Sequence, residues 1–192
     1  MSLIRTESRA FESHVPVLVV GGGACGATAA LAVRDAGADV VMLERDARPA
    51  GSTAMSLGAI CGCDTRAQRA RGVQDSADLL YADILAKTDG RADRGLARVL
   101  AEQCGPTLDW LSDRHRVPLA LDFAWTGLGH SVPRLHLPPG RSGEELLALL
   151  HGAAARAGAG LLTDAHVEAL YAFDDAAVPG VHIRRLVGSV EE

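Results

Sequence analysis

Apolar residues along this chain gather in short blocks set apart by glycine-rich or charged stretches, and their spacing differs from block to block. Residues 15–20 (VPVLVV) are nearly continuous apolar, the pattern of a strand buried on both faces. Small residues then recur at helical spacing through 25–36, and a second apolar run at 39–43 reads as another buried strand. Ser76 suits the N-cap of a helix running to Lys87. A longer helical stretch spans 95–115, which Pro106 must start, kink or break. Leu79, Leu80, Leu85, Leu96, Val99, Leu100, Leu108 and Leu111 give these helices apolar faces, so they read as core rather than chemistry. Ser142 with Glu145 forms a capping box that opens a helix over 144–157. Residues 161–163 make a short third strand, and 164–173 and 181–187 pair around a turn at 174–180. Residues 117–123 alternate weakly, and 125–143, crowded with Gly, Pro and His, predicts an irregular hairpin. Strand alternating with helix makes this an α/β chain, with 15–20, 39–43 and 161–163 side by side and parallel through right-handed crossovers.

The junction of the first strand and helix carries the chemistry. Gly21, Gly23 and Gly26 stand in G-x-G-x-x-G spacing: Gly21 permits the tight turn, Gly23 lets a pyrophosphate approach the backbone, and Gly26 lets helix and strand pack closely. Ala24 and Cys25 keep the turn small, and the helix N-terminus offers N–H groups to an anion. Glu44 ends the second strand at the distance where a carboxylate accepts ribose hydroxyls. The prediction is a Rossmann-like GxGxxG dinucleotide-binding fold: a three-stranded parallel core, flanking helices and a small antiparallel β meander. Residues 44–65 form a Gly-, Ser- and Ala-rich loop, including Gly51, Ser52, Thr53, Ser56 and Gly58, long enough to wrap a cofactor with backbone and hydroxyl donors.

Other features bound the picture. The 192 residues carry a net charge of −5 without a basic block, which argues against nucleic acid as a partner. Residues 1–14 are mixed polar without the apolar core of a signal peptide, and no apolar run is long enough for a bilayer, so a soluble cytoplasmic protein without a membrane is expected. The 4 cysteines form no recognisable framework; Cys61-Gly62-Cys63 matches neither a redox C-x-x-C nor a zinc knuckle. His130, Arg134 and His136 alternate, so in extended backbone they share one face, where they either grip a carboxylate or flavin edge or are solvated. His130 and His136 lack a third ligand, so no metal is expected.

Taken together, residues 21–26, Glu44 and Gly51-Ser52-Thr53-Ala54 resemble the N-terminal half of the fumarate reductase/succinate dehydrogenase flavoprotein superfamily, which includes 3-ketosteroid dehydrogenases. The 101–111 stretch (Ala101-Glu102-Gln103 to Trp110-Leu111) and the 129–143 stretch (Gly129-His130-Ser131 to Ser142-Gly143) are similar to one branch of it. The resemblance implies FAD rather than NAD. It puts Glu44, with Arg45 beside it, at the adenosine ribose, Ser52 and Thr53 near the phosphates, and His166 and Val167 at the adenine. Covalent members attach FAD through a histidine in the 52–58 loop; none stands here, so the FAD is non-covalent. Leu57 replaces a glycine common in the family and reshapes the flavin approach. The implied domain is the N-terminal portion of an FAD-binding domain over 15–192, after a polar extension over 1–14, incomplete relative to the family. Family members continue into a capping substrate domain and a last FAD-binding segment that usually hold the catalytic groups, and no acid, base or nucleophile is assignable here. The expectation is an FAD-dependent oxidoreductase of a small-molecule substrate in partial form. Its bare sheet edge suits a second chain or self-association. A non-catalytic nucleotide-binding module completed by another chain, or an NAD-binding module, stands as the alternative.

Overall fold

The computed structural model describes residues 2–7, 11–174, 177–187 and 190–191. In chain order the strands are β1 (Ser2–Arg5), β2 (Val17–Val20), β3 (Val40–Leu43), β4 (Ile60–Cys61), β5 (Ala120–Leu121), β6 (Leu135–Leu137), β7 (Gly160–Leu162), β8 (Ala165–Ala172), β9 (Gly180–Val187) and β10 (Val190–Glu191). The helices are α1 (Ala24–Asp35), α2 (Gly51–Ala54), α3 (Arg66–Ala70), α4 (Ala77–Lys87), α5 (Arg94–Asp113) and α6 (Gly143–Arg156). The chain divides into two compact units, Met1–Thr53 with Leu150–Glu192, and Ala54–Leu149.

In the first unit β2, β3 and β7 form a parallel sheet in that order. The central strand β3 buries Val40, Met42 and Leu43, the near-continuous apolar run that a strand covered on both faces requires. Helix α1 lays Ala27, Ala30 and Leu31, each fully buried, toward the interior. Its small residues keep helix and sheet backbones close, because there is little side chain between them. Strand β2 is an edge strand, and Leu18 and Val20 are exposed on it. A second sheet runs β1-β8-β9-β10, with β8 and β9 antiparallel, the pair expected over 164–173 and 181–187. Leu43, Ala165 and Val167 form one buried apolar cluster between the two sheets.

The N-terminal stretch departs from its expectation as a polar extension: Ser2–Arg5 pair in parallel with Ala169–Ala172 as β1. The side chains of β1 are exposed, so backbone hydrogen bonding rather than an apolar pattern makes this strand, and periodicity does not reveal it. Residues 1 and 8–10 of the extension, and 175–176 of the expected 174–180 turn, lie outside the described residues.

The second unit is helical around a small antiparallel sheet in the order β4-β6-β5. Residues 44–65, expected as one long loop, contain α2 and β4. Residues 125–143, expected as a hairpin on their own, instead contribute β6 to the middle of this sheet. Ser76 caps α4 by accepting the Leu79 N–H at 3.1 Å. Helix α5 continues past Pro106. A proline inside a helix costs about 3 kcal/mol through its missing N–H and ring clash. Leu108 and Leu111, both nearly fully buried, lie beyond it, and burying each side chain returns about 1.5–3 kcal/mol. Burial therefore outweighs the break, and the helix continues.

Candidate functional site

The phosphate-type turn is built from β2, α1 and β3. The Gly21 N–H donates to the Leu43 carbonyl at 2.7 Å, joining the turn to the end of β3. Gly21 has φ +105°, open to glycine and strained for other residues. A Cβ on Gly26 would lie 2.0 Å from the Gly21 carbonyl oxygen, so only hydrogen fits where α1 crosses the turn. Gly23 differs: its φ is −69°, and a Cβ there would meet nothing nearer than Thr53 Oγ1 at 3.7 Å. The lack of a side chain at Gly23 thus leaves open space before the helix N-terminus. Thr53 Oγ1 accepts the Ala24 N–H at 3.1 Å, and the Gly23 carbonyl accepts the Ala27 N–H at 2.9 Å. The amides of Cys25 and Gly26 have no partner among the described residues, as the first turn of a helix dictates. Turn and helix end together form a cradle for an anion.

Glu44 sits beside this cradle. Its Oε2 accepts the Gly22 N–H at 2.8 Å and its Oε1 accepts the Asp46 N–H at 3.0 Å, which fixes the carboxylate at the end of β3. Arg45 is exposed and pairs with Asp46. Gly51 and Ser52 lie exposed in α2, two and one residues before Thr53. His151 on α6 was not legible in the sequence: its Nε2–H donates to the Gly22 carbonyl at 2.6 Å, buttressing the turn from behind. No spacing rule marks it, because it reaches the turn only through tertiary packing. On β8, His166 is exposed and Val167 buried, next to a register shift between Val167 and Ala169. A bulge of this kind re-aims side chains at a strand.

Ser56 and Gly58 belong to the second unit, where they hold the start of α6. The Ser56 carbonyl accepts the Gly143 N–H at 2.9 Å, and Ser56 Oγ accepts the Gly58 N–H at 3.0 Å. Leu57 between them is largely exposed. Ser142 accepts the Glu145 N–H as the capping box requires, but the Glu145 carboxylate reaches back to the Gly140 N–H instead of closing the box.

His130, Arg134 and His136 were expected on one face, either gripping a carboxylate or flavin edge or solvated; the structure corrects the solvated alternative for Arg134 and His136, which are buried. Arg134 is 0% exposed. It grips Asp75 in a two-pronged pair, Nε to Oδ2 and Nη2 to Oδ1, both 2.7 Å, and donates through Nη1 to Asp83 at 2.5 Å. Burial disfavours the guanidinium, but the two carboxylates more than compensate and push its pKa up. Asp83 also accepts the Ser131 N–H and hydroxyl; burial pulls its carboxyl up, yet the bonds from Arg134 and Ser131 win and hold it low. His136 is equally enclosed: Nδ1–H donates to the Arg134 carbonyl at 2.9 Å, and Nε2 accepts from Thr65 Oγ1 at 3.0 Å. Thr65 and Gln68 close a complete capping box on α3, and Gln68 Nε2 donates to Asp75 and to the Pro133 carbonyl. His130 stays half-buried with its Nδ1 3.4 Å from Arg134 Nη1. Arg134 and His136 therefore act inside the fold. Buried charges must be paired, and the acids at Asp75 and Asp83 do this from sites remote in sequence.

Burial lowers the His136 pKa, against a smaller upward pull from the Arg134 carbonyl and Asp109. The neutral ring is the folded form, so its stabilising effect is complete above the free-imidazole value of about 6.5 and is lost as pH falls through the lowered folded value. An NMR titration of the ring protons is expected to give a midpoint below about 6.5; a midpoint at or above it contradicts this arrangement.

Among the described residues no group of three or more His, Cys, Asp or Glu is placed to hold a metal, and no helix is long and apolar enough to cross a membrane. The sequence pattern of the FAD binding domain family matches residues 16–191. An NADH:fumarate oxidoreductase of Klebsiella pneumoniae is 33% identical over 178 residues, 92% of this chain and 18% of that protein. A probable fumarate reductase of Shewanella frigidimarina is 32% identical over 166 residues, 85% of this chain and 28% of that protein. Among solved structures, the open conformation of a flavocytochrome c3 fumarate reductase matches with a TM-score of 0.79 and 31% identity, over 90% of this chain and 30% of that one. The 3-ketosteroid-delta4-(5alpha)-dehydrogenase of Rhodococcus jostii RHA1 matches with a TM-score of 0.75 and 25% identity, over 95% of this chain and 44% of that one. The chain spans less than a third of the length of either curated relative.

Proposed function

The chain belongs to the FAD binding domain family, and from that premise we propose that it is the FAD-holding part of an oxidoreductase acting on a small organic substrate. The observation that carries this reading is the open, side-chain-free space at Gly23 before the unpartnered amides of Cys25 and Gly26. A pyrophosphate fits there by charge and by chemistry, since oriented backbone amides hold anions without a basic patch. Glu44, held by Gly22 and Asp46, accepts the ribose hydroxyls. Ser52 and Thr53 add hydroxyls on the phosphate side, and His166 and Val167 offer strand backbone to the adenine. With no histidine over residues 52–58 the cofactor is held non-covalently. Bound FAD supplies the redox chemistry, and the protein supplies position and electrostatics. The names of the Klebsiella and Shewanella relatives make fumarate the first substrate to try with the whole protein. Four free cysteines suit a reducing compartment and support a cytoplasmic location. The β2 edge, with Leu18 and Val20 exposed, suits cover by a further segment or a second chain.

Titrating the purified chain with FAD, followed by flavin fluorescence and absorbance, is expected to saturate, with NAD failing to compete. Competition by NAD at equal concentration reverses the cofactor choice. Glu44→Ala is expected to weaken FAD by about 1.5–3 kcal/mol, roughly ten- to a hundredfold in the dissociation constant. An unchanged constant removes Glu44 from the site.

A further inference from the structure

Three of the four cysteines meet inside the second unit, although their spacing matches no redox or metal motif. Cys61 closes β4, Cys63 follows two residues on, and Cys104 lies in the middle of α5. Cys63 and Cys104 are buried in one apolar cluster with Leu80 and Ala101, and Cys61 packs against it. The Cys104 and Cys63 sulfurs are 3.8 Å apart. The Cys63 thiol donates to the Ala101 carbonyl at 2.9 Å, which aims it at α5. Gly105 explains why the two elements come so close. A Cβ there would lie 1.9 Å from the Cys63 carbonyl oxygen, so the α5 backbone rests directly on Cys63. The next residue back, Cys104, is held within reach of a sulfur bond.

The three thiols are unequal. The hydrogen bond from Cys61 lowers the Cys104 thiol to about 6, overcoming burial, with further help from Cys63 and from backbone amides. Burial, and then the charge on Cys104, push Cys63 up to about 12. Cys61 is pushed up as well, chiefly by its bond to Cys104. Of the three, Cys104 is thus the thiol most readily ionised, an inequality that thiol oxidation uses. Reagents have a route in: Cys61 and Cys104 line an open apolar groove of about 840 Å³ together with Ile60, Leu100 and Leu108.

We propose that Cys104 and Cys63 form a thiol–disulfide redox site oxidised by hydroperoxides that enter through this groove. The Cys104 thiolate attacks one peroxide oxygen and the O–O bond breaks, leaving a sulfenic acid and hydroxide. The sulfur of Cys63 then attacks the sulfenic sulfur, the S–O bond breaks, and the departing hydroxide and the Cys63 proton leave as water. With the proton first lost by Cys104, two thiols and one hydrogen peroxide become one disulfide and two waters; the thiols lose the two electrons that the peroxide gains. Cys61 packs against the pair and favours ionisation of Cys104. The bond ties the middle of α5 to the turn after β4.

The test treats the full chain with stoichiometric hydrogen peroxide, blocks the remaining thiols by alkylation, and maps peptides by mass spectrometry without reduction. The expected product is a Cys63–Cys104 linked peptide two mass units lighter than the pair of free peptides, reversed by dithiothreitol. Cys61→Ala keeps the link but slows its formation about tenfold, because the donor that favours ionisation of Cys104 is removed. A Cys61–Cys104 peptide overturns the choice of partner. Absence of any link while Cys25 is oxidised overturns the site. Should Cys61→Ala not fold, the pH dependence of Cys104 alkylation in the unaltered chain replaces it: a midpoint well below that of a free thiol supports the assignment, and an ordinary one rejects it.

Discussion

Gly23→Val is expected to leave the chain folded and to abolish saturable FAD binding. Gly23 has φ −69° and ψ −178°, an extended conformation in which valine is at ease, and a Cβ there meets only Thr53 Oγ1 at ordinary contact distance. The native packing therefore gives no reason for instability. The branched side chain instead fills the open space before the α1 N-terminus, where the pyrophosphate has to reach the amides. Losing that approach is expected to cost at least about a hundredfold in affinity, or roughly 2.7 kcal/mol. Gly26→Ala is the contrasting control. Its Cβ would fall 2.0 Å from the Gly21 carbonyl oxygen, so the turn itself must shift, at about 1–3 kcal/mol of stability or more. Circular dichroism with thermal unfolding separates the two variants. Full FAD affinity in a folded Gly23→Val chain excludes this turn as the cofactor site.

The second large effect lies in the other unit. Arg134→Met removes the cation from between Asp75, whose side chain is fully buried, and Asp83. Breaking a buried, hydrogen-bonded ion pair on one side leaves an uncompensated charge and costs about 3–5 kcal/mol. An exposed ion pair costs about 1 kcal/mol or less. The urea midpoint is expected to fall sharply at unchanged slope, and adding Asp75→Asn is expected to recover part of the loss, because the orphaned charge is what hurts. A loss as small as that of a surface pair means that water reaches the cluster. Substitution here is expected to change FAD binding only through folding, since the guanidinium of Arg134 is fully buried against Asp75 and Asp83.

That contrast separates what pattern reveals from what packing decides. The three parallel strands, the helix after the first of them, the Ser76 cap and the β8–β9 pair were legible because each rests on local physics. A strand such as β3, buried in mid-sheet, needs a continuous apolar run, while the same pattern in β2 ends at an exposed edge; a cap needs a hydroxyl in place, and a crossing of helix on turn needs glycine. Gly21, Gly23, Gly26 and Glu44 were legible for the same reason, since a tight turn and its following acid lie within one strand–helix–strand segment. Alternation at His130, Arg134 and His136 was visible too, but not its meaning. Whether a charged side chain in a loop meets solvent, ligand or protein depends on where Asp75 and Asp83 lie, and those stand 59 and 51 residues away along the chain. Pro106 reads as a helix start, kink or break, and of these the start and the break are overridden by burial of Leu108 and Leu111. β1 carries no apolar pattern, being held by backbone pairing with β8. Cys61, Cys63 and Cys104 looked unrelated along the chain until α5 settled on the Cys63 carbonyl at Gly105. The sequence by itself determined the strands, the helix starts and the glycine turn, because these answer to neighbours a few residues away. Only the tertiary structure decided which charges are buried together, which thiols meet and how His151 reaches the turn, because those energies arise between groups that the chain brings together only on folding.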